Sequence, residues 1–306
     1  MYAPLPVAFD GNSENLHCLA GDLPVVRVPA PDGACATIAL HGGHVLSWVP
    51  AGGCEMLYLS PRSGFASGQP IRGGVPVIFP QFSDRGPLMR HGFARVLPWQ
   101  LLRQEEGADF ATAVLRLVDS AQTRARWPFA FELDLLVRVG ADHLSMELAC
   151  RNTGGEDFRF QAALHSYFRV GDLGSCRLTG LDAHSYRDAL DQADRTQVGA
   201  IDFGDGDLDR VYADVPSALV LERPAGPGSG RDLQIAQDGF DDVVVWNPGA
   251  GKCAALTDMP PDGWRHMVCV EAARIGRPVT LAPGAIWRGA QRLSAAIPAA
   301  GRVRQC

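Results

Sequence analysis

The chain has 306 residues and a net charge of −6, with 46% hydrophobic and 20% charged residues. That balance is ordinary for a globular protein with a real apolar core, and the acidic excess argues against a general nucleic-acid binder, whose domain would be basic. Positive charge is almost wholly arginine, Lys252 being the only lysine, and no apolar run approaches the ~20 residues of a membrane span.

The first residues, MYAPLPVAFDGNSEN, lack the basic start and long apolar run of a signal peptide. Eight scattered cysteines contain no CxxC pair or zinc-like spacing, so they read as reduced thiols in a reducing compartment, and the cytoplasm is the expected location. Strands are expected over 24–29, 35–40, 44–49 and 111–118. The clearest is 131–139, where Phe131, Leu133, Leu135, Val137 and Val139 share one face and Glu132, Asp134 and Arg138 the other. Gly140-Ala-Asp142 then predicts a short hairpin into 143–150. Further strands are expected over 158–168, 218–222, 232–236, 242–246, 267–272 and 286–292. The clearest helical candidates are short, such as 184–194, and 225–230 reads as a hairpin tip. Thirty-four glycines and 22 prolines punctuate the whole length, no internal repeat is present, and no boundary divides the chain. The expected architecture is all-β, a large antiparallel sandwich in one domain over 1–306 with its core at about 24–293.

Three segments carry candidate chemistry. The first is 71–95, IRGGVPVIFPQFSDRGPLMRHGFAR, an irregular path marked by glycine and proline and lined by Arg72, Arg85, Arg90 and Arg95. Arginine presents a planar fork of donors that matches phosphate oxygens, so anion binding is the preferred reading of this loop, although spacing does not rank its arginines. A salt bridge to Asp84 could absorb one of them. The second is LHSYF, where His165 shares a face with Arg159, Gln161, Ala163 and Tyr167, turned away from Phe158, Phe160, Ala162 and Leu164. This is either a histidine on a solvated face or a proton donor. The third is MVCVEAA, where Glu271 sits in an apolar strand. It is either ion-paired with Arg274 or Arg265, or a carboxylate tuned by desolvation to act as a base.

Two other motifs weaken on inspection. His41-Gly-Gly-His44 has no third metal ligand nearby and reads as a turn. The aspartates at 202, 205, 207 and 209 lack EF-hand spacing and read as a solvated acidic turn. No phosphate-binding loop, dinucleotide fingerprint or nucleophile elbow is present.

Taken in order, IRGGVPVIFPQF, HGFAR, LHSYF, DRVY, VVWNP and DMPPDGWRHMVCVEAA resemble the hexose-6-phosphate mutarotases, or glucose-6-phosphate 1-epimerases, of the aldose 1-epimerase group. The resemblance runs from about Pro24 to Leu293. It implies a galactose mutarotase-like β-supersandwich that interconverts the α and β anomers of a hexose 6-phosphate. It also implies His165 as general acid and Glu271 as general base, brought to either side of the pyranose oxygen. Arg72 and Arg95 would hold the phosphate or place the sugar, His91 would lie beside the ring, and Asp209 would bind hydroxyls. Arg90 departs from the glutamine found before HGFAR in some members, and it either adds a phosphate contact or points to solvent. The chemistry needs one acid and one base and no metal or cofactor. The expected partner is therefore a small sugar phosphate, with no nucleic acid or membrane, and the expected state is a monomer. Competing readings are a free-aldose epimerase, a non-catalytic carbohydrate-binding protein on the same fold, and a glycoside hydrolase using Asp209 and Glu271.

Overall fold

Alternation of apolar and polar side chains builds the strands. In Phe131–Gly140 the odd-numbered residues from Phe131 to Val139 are buried, while Asp134 and Glu132 meet Arg116 on the outer face at 2.6 Å and 3.3 Å. Gly140 pairs with His143 across the predicted hairpin turn, where Ala141 adopts a left-handed φ of 43°. A computed structural model describes residues 23–215, 218–224 and 232–295, and the proposed hairpin tip at 225–230 lies outside them.

Among the described residues the strands form three sheets. Val25–Pro29, Cys35–Ala39 and His44–Val49 make a small antiparallel one. A nine-stranded sheet runs in the order Ile201–Asp202, Arg177–Thr179, Leu219–Glu222, Leu233–Asp238, Ile286–Ala295, His143–Asn152, Phe131–Gly140, Ala111–Val118, Gln100–Glu106. An eight-stranded sheet runs Asp194–Thr196, Ser185–Asp188, Leu208–Tyr212, Asp242–Asn247, Met267–Leu281, Phe158–Leu164, Val77–Ile78, with Tyr167–Arg169 also pairing onto Met267–Leu281. The large antiparallel sandwich expected from the sequence is therefore the fold. Its described α-helices, Ala121–Arg124 and Gly249–Ala254, are short, and no described helix is long and apolar enough to cross a membrane.

The two large sheets close on one apolar core. Phe160 of the eight-stranded sheet packs 5.5 Å from Trp287 of the nine-stranded sheet and 5.2 Å from Phe79, which in turn lies 5.2 Å from Phe131. Parity then decides what the other face of the eight-stranded sheet carries. Ala162, Leu164, Val268, Val270 and Ala272 face the core, so Ala163, Tyr167, Cys269, Glu271 and Ala273 face away from it.

Three local expectations need correction. Residues 184–194 are not helical: Ser185–Asp188 pairs with Leu208–Tyr212, and Asp194–Thr196 returns beside it. The turn between them is held by Asp188 and Asp191 side chains that accept from the backbone N–H of Leu190 and Ala193, both at 3.0 Å, which is the local competition that keeps aspartate out of helix interiors. The 158–168 strand breaks between Leu164 and Tyr167. Finally, Cys35, Cys150, Cys176, Cys253 and Cys269 are free thiols, as expected, but Cys54 is disulfide-bonded.

Removing the Phe160 ring leaves a cavity where both sheets meet. The Phe160→Ala variant should lose about 3–5 kcal/mol of stability, read as a lower denaturant midpoint at unchanged slope; a loss below about 1 kcal/mol would show that this contact does not hold the sheets together.

Candidate active site

The register of the eight-stranded sheet lines up side chains that are far apart in sequence. Asp209 stands opposite Trp246, Trp246 opposite Cys269, and Cys269 opposite Tyr167. One row along, Val211 stands opposite Val244 and Val244 opposite Glu271. His165 falls in the gap between Ala163, paired with Ala273, and Tyr167, paired with Cys269, and is therefore level with Glu271. The chain leaves the ladder at this point: the His165 N–H donates to Pro76 O and the Ser166 N–H to Leu164 O, both at 3.0 Å.

His165 Nε2 lies 3.3 Å from Glu271 Oε1, and the residues are 7% and 1% exposed. The remaining polar atoms of the pair, His165 Nδ1 and Glu271 Oε2, are buried without a hydrogen-bond partner. The ion pairs that could have explained Glu271 away go elsewhere, since Arg274 pairs with Asp241 and Arg265 with Asp172. Nor do the two groups flank a sugar-sized space, as the resemblance suggested. They stand side by side.

Burial acts oppositely on the two groups. Desolvation, reinforced by Asp209 and opposed by Arg95, pushes the Glu271 carboxyl well above the ordinary glutamate range. Desolvation, helped by His91, Arg95 and Arg72, pushes the His165 imidazole well below its ordinary value. Both shifts disfavour the charged forms, and the contact between imidazolium and carboxylate offsets part of that penalty. The imidazolium–carboxylate pair and the imidazole–carboxylic acid pair hold the same number of protons, so the proton can sit on either side.

Aromatic rings hold the imidazole in place. Tyr167 stacks on it at 4.9 Å and 10°, while Trp246 and His91 meet it edge-on at 6.1 Å and 5.4 Å. His91 occupies a left-handed φ of 64° in front of Gly92, where a Cβ would lie 2.1 Å from Phe79 O, so the HGFAR bend needs glycine there. The His91 backbone N–H donates to Ser83 O at 3.0 Å and its Nδ1 accepts from the Ser83 N–H at 3.3 Å. Accepting at Nδ1 leaves the proton on Nε2 of the neutral ring. Burial, with Arg95, Arg90 and Arg72, lowers this histidine to about 3.

The four arginines of the loop divide into two inward and two outward. Arg72 places Nε and Nη2 at 3.1 Å and 3.0 Å from Asp258 Oδ2 and donates from Nη1 to the Tyr167 hydroxyl at 3.1 Å. Burial opposes its charge, but Tyr167 and Asp258 outweigh it and raise its pKa. Arg95, in the 3₁₀ turn Ala94–Val96, donates from Nη2 to Arg90 O at 2.9 Å, its Nε is buried without a partner, and no described carboxylate pairs with it. Burial, partly offset by Tyr167, lowers it to about 10, which leaves it charged at neutral pH. Arg90 is exposed and pairs with Asp84 at 3.7 Å, and Arg85 is also exposed. Asp209 joins the face that carries Tyr167 and Glu271 through the sheet register; burial raises its carboxyl, against the pull of Lys252 and Arg90.

Tyr167, Trp246 and Asp258 belong to this site without having been singled out. Tyr167 was within reach of parity, two residues after His165. Asp258, 186 residues from Arg72, carried no signal that tied it to that arginine. The His41 and His44 rings are not ligands: their Nε2 atoms lie 2.8 Å and 2.7 Å from Gln69 O and Gly73 O, pinning the backbone that leads to Arg72. Among the described residues no group of three or more histidine, cysteine or acidic side chains could hold a metal.

Two large antiparallel sheets packed into a sandwich give this protein the galactose mutarotase-like fold. The chain belongs to the aldose 1-epimerase family, whose profile matches residues 24–294. It is 35% identical over 270 residues to a protein of Cenchrus ciliaris, covering 85% of this chain and 81% of that one. It is 36% identical over 270 residues to one of Escherichia coli K12, covering 88% and 86%. Both relatives carry the name "Putative glucose-6-phosphate 1-epimerase". A Salmonella typhimurium crystal structure titled "a putative mutarotase (YeaD)" superposes with a TM-score of 0.83 at 34% identity over 92% of each chain. A galactose mutarotase related enzyme from Lactobacillus acidophilus, at 15% identity and a TM-score of 0.69 over 89% and 98%, shares the fold.

With His91 at about 3 in the folded state and near 6.5 unfolded, the unfolded chain takes up the proton first as pH falls. The stability contributed by neutral His91 is complete above pH 6.5 and is lost progressively toward about 3. Its ring ¹⁵N signals should show the Nε2–H tautomer and no titration between pH 5 and 8. A midpoint inside that range would contradict the buried neutral state.

Proposed function

We propose that this protein interconverts the α and β anomers of a hexose 6-phosphate, best represented by glucose 6-phosphate, by opening and reclosing the pyranose ring. The observation that carries this reading is the buried 3.3 Å contact of His165 with Glu271, within the electrostatic reach of Arg72 and Arg95. In opening, the Glu271 carboxylate takes the proton of the C1 hydroxyl, the C1–O5 bond breaks as the carbonyl forms, and O5 takes a proton from the His165 imidazolium. The pair is left as imidazole and carboxylic acid, with its proton count unchanged. Rotation about C1–C2 presents the other carbonyl face, and the same transfers in reverse close the ring. Burial favours the uncharged state reached after opening, and mutual attraction favours the charged state before it. Each positioned proton-transfer group typically contributes about 10²–10⁴-fold.

The phosphate is carried on C6, next to C5, which is bonded to the ring oxygen that His165 protonates. Its binding group must therefore lie close to the imidazole. Arg95 suits that role best, because it is half-buried, charged and without an ion-pair partner among the described residues, whereas the charge of Arg72 is already met by Asp258. Arg72, His91 through Nε2–H, and Asp209 would place the ring hydroxyls. Arg90, at the surface with Asp84, would contribute little.

Glu271→Gln should lower the exchange rate between glucose 6-phosphate anomers by about 10²–10⁴-fold, read by exchange NMR after subtracting spontaneous mutarotation. A near-normal rate would remove Glu271 from the base role. Arg95→Ala should impair exchange of glucose 6-phosphate far more than exchange of glucose, while Arg90→Ala should stay within about twofold on both, as expected of an exposed charge. Equal losses on the two sugars with Arg95→Ala would favour a free-aldose epimerase. The wild-type rate should be bell-shaped in pH, falling as the pair loses its one shared proton and again as it gains a second.

A further inference from the structure

Gln291 is a polar side chain on the wrong face of its strand. In Ile286–Ala295 the odd-numbered residues Gly289, Gln291, Leu293 and Ala295 point between the two sheets, and Gln291 is 1% exposed amid apolar neighbours. A primary amide in such a place costs stability unless each of its ends finds a partner. Both do. Its Oε1 accepts from the Ser166 hydroxyl at 2.5 Å, and its Nε2 donates to Val270 O at 3.0 Å. The amide orientation follows from chemistry, since the Val270 carbonyl can only accept.

The identity of these partners is the informative part. Ser166 follows His165 and Val270 precedes Glu271. Parity turns Ser166 and Val270 inward while their neighbours turn toward the site. Ser166 O also accepts from the Val270 N–H at 3.2 Å, so Ser166, Val270 and Gln291 close a triangle of hydrogen bonds directly behind the His165–Glu271 contact. The triangle sits where the chain leaves the ladder between Leu164 and Tyr167, so a side chain from the opposite sheet supplies a bond that regular pairing would otherwise make.

We infer that Gln291 and Ser166 are positioning residues, an amide–hydroxyl clamp that fixes the spacing of His165 and Glu271 from behind for the proton transfers proposed above. The inference rests on that reaction for its kinetic meaning but not for its geometric one. The clamp touches no substrate, so its loss should appear in kcat rather than in KM.

The test compares Ser166→Ala, Ser166→Thr and Gln291→Met in the full-length protein, using exchange NMR on glucose 6-phosphate and the ¹⁵N signals of the His165 ring without ligand. Ser166→Ala and Gln291→Met should lower kcat on the order of 10- to 100-fold with KM nearly unchanged, as expected when supporting contacts of reacting groups are lost. Both should shift the His165 ring signals, and Ser166→Thr, which keeps the hydroxyl, should restore most of kcat. Folded variants with wild-type kcat and unmoved ring signals would overturn the clamp. Should Gln291→Met fail to fold, Ser166→Ala, which deletes one oxygen, decides alone. If wild-type protein does not exchange the anomers, the epimerase reading falls, and the ring signals still decide for or against the clamp.

Discussion

The constraint on which the site depends is the burial of an imidazole against a carboxyl group in a sheet that is otherwise apolar there. Neither group tolerates such a place alone. Desolvation drives each toward neutrality, and the 3.3 Å contact lets one proton serve both. In the reaction proposed above, ring opening and ring closure would ask the same two groups to exchange roles.

Holding such a pair requires interruptions of regular structure. The strand that carries His165 breaks between Leu164 and Tyr167, and the freed backbone groups are taken up by Pro76, by Leu164 and by the triangle around Gln291. The 71–95 segment follows an irregular course for a similar reason. It must bring Arg72, His91 and Arg95 over the open face of the eight-stranded sheet, and it does so through bends at which side chains larger than hydrogen would strike backbone, as at Gly73 beside Tyr58 O and at Gly92 beside Phe79 O. Gln81 and Gln161 then tie the segment down. Gln81 bonds Ser83 O and both backbone groups of Leu88, and Gln161 accepts from the Phe82 N–H while donating to Ile275 O. The loops are therefore as determined as the strands they cover.

Charge is sorted by the same economy of partners. Arg72 is tied to Asp258 and Tyr167, Arg90 to Asp84 at the surface, and Arg95 is left half-buried with only a carbonyl to bond among the described residues. A guanidinium in that condition has unspent donor capacity toward an anion. Of the four arginines in that loop, Arg95 is thus the one whose donors are least engaged, which is why the proposed function assigns the phosphate to it.

Much of this was legible in the sequence. Period-two alternation located most strands and the turn at 140–142, because a half-buried strand writes its two faces directly into the chain. The same alternation separated His165 from the core face of its strand, and the unusual presence of Glu271 in an apolar run marked it as paired or in use. Local sequence failed where aspartates at 188 and 191 bonded to nearby backbone and made two strands and a turn out of an expected helix. It was equally silent on which arginine faces inward, on the side-by-side placement of imidazole and carboxyl, on Asp258 behind Arg72, and on the amide that crosses the core from Gln291. Those are matters of strand order and register. A residue's own neighbours fix which face it occupies, but only the folded sheet fixes which residue from another strand stands beside it.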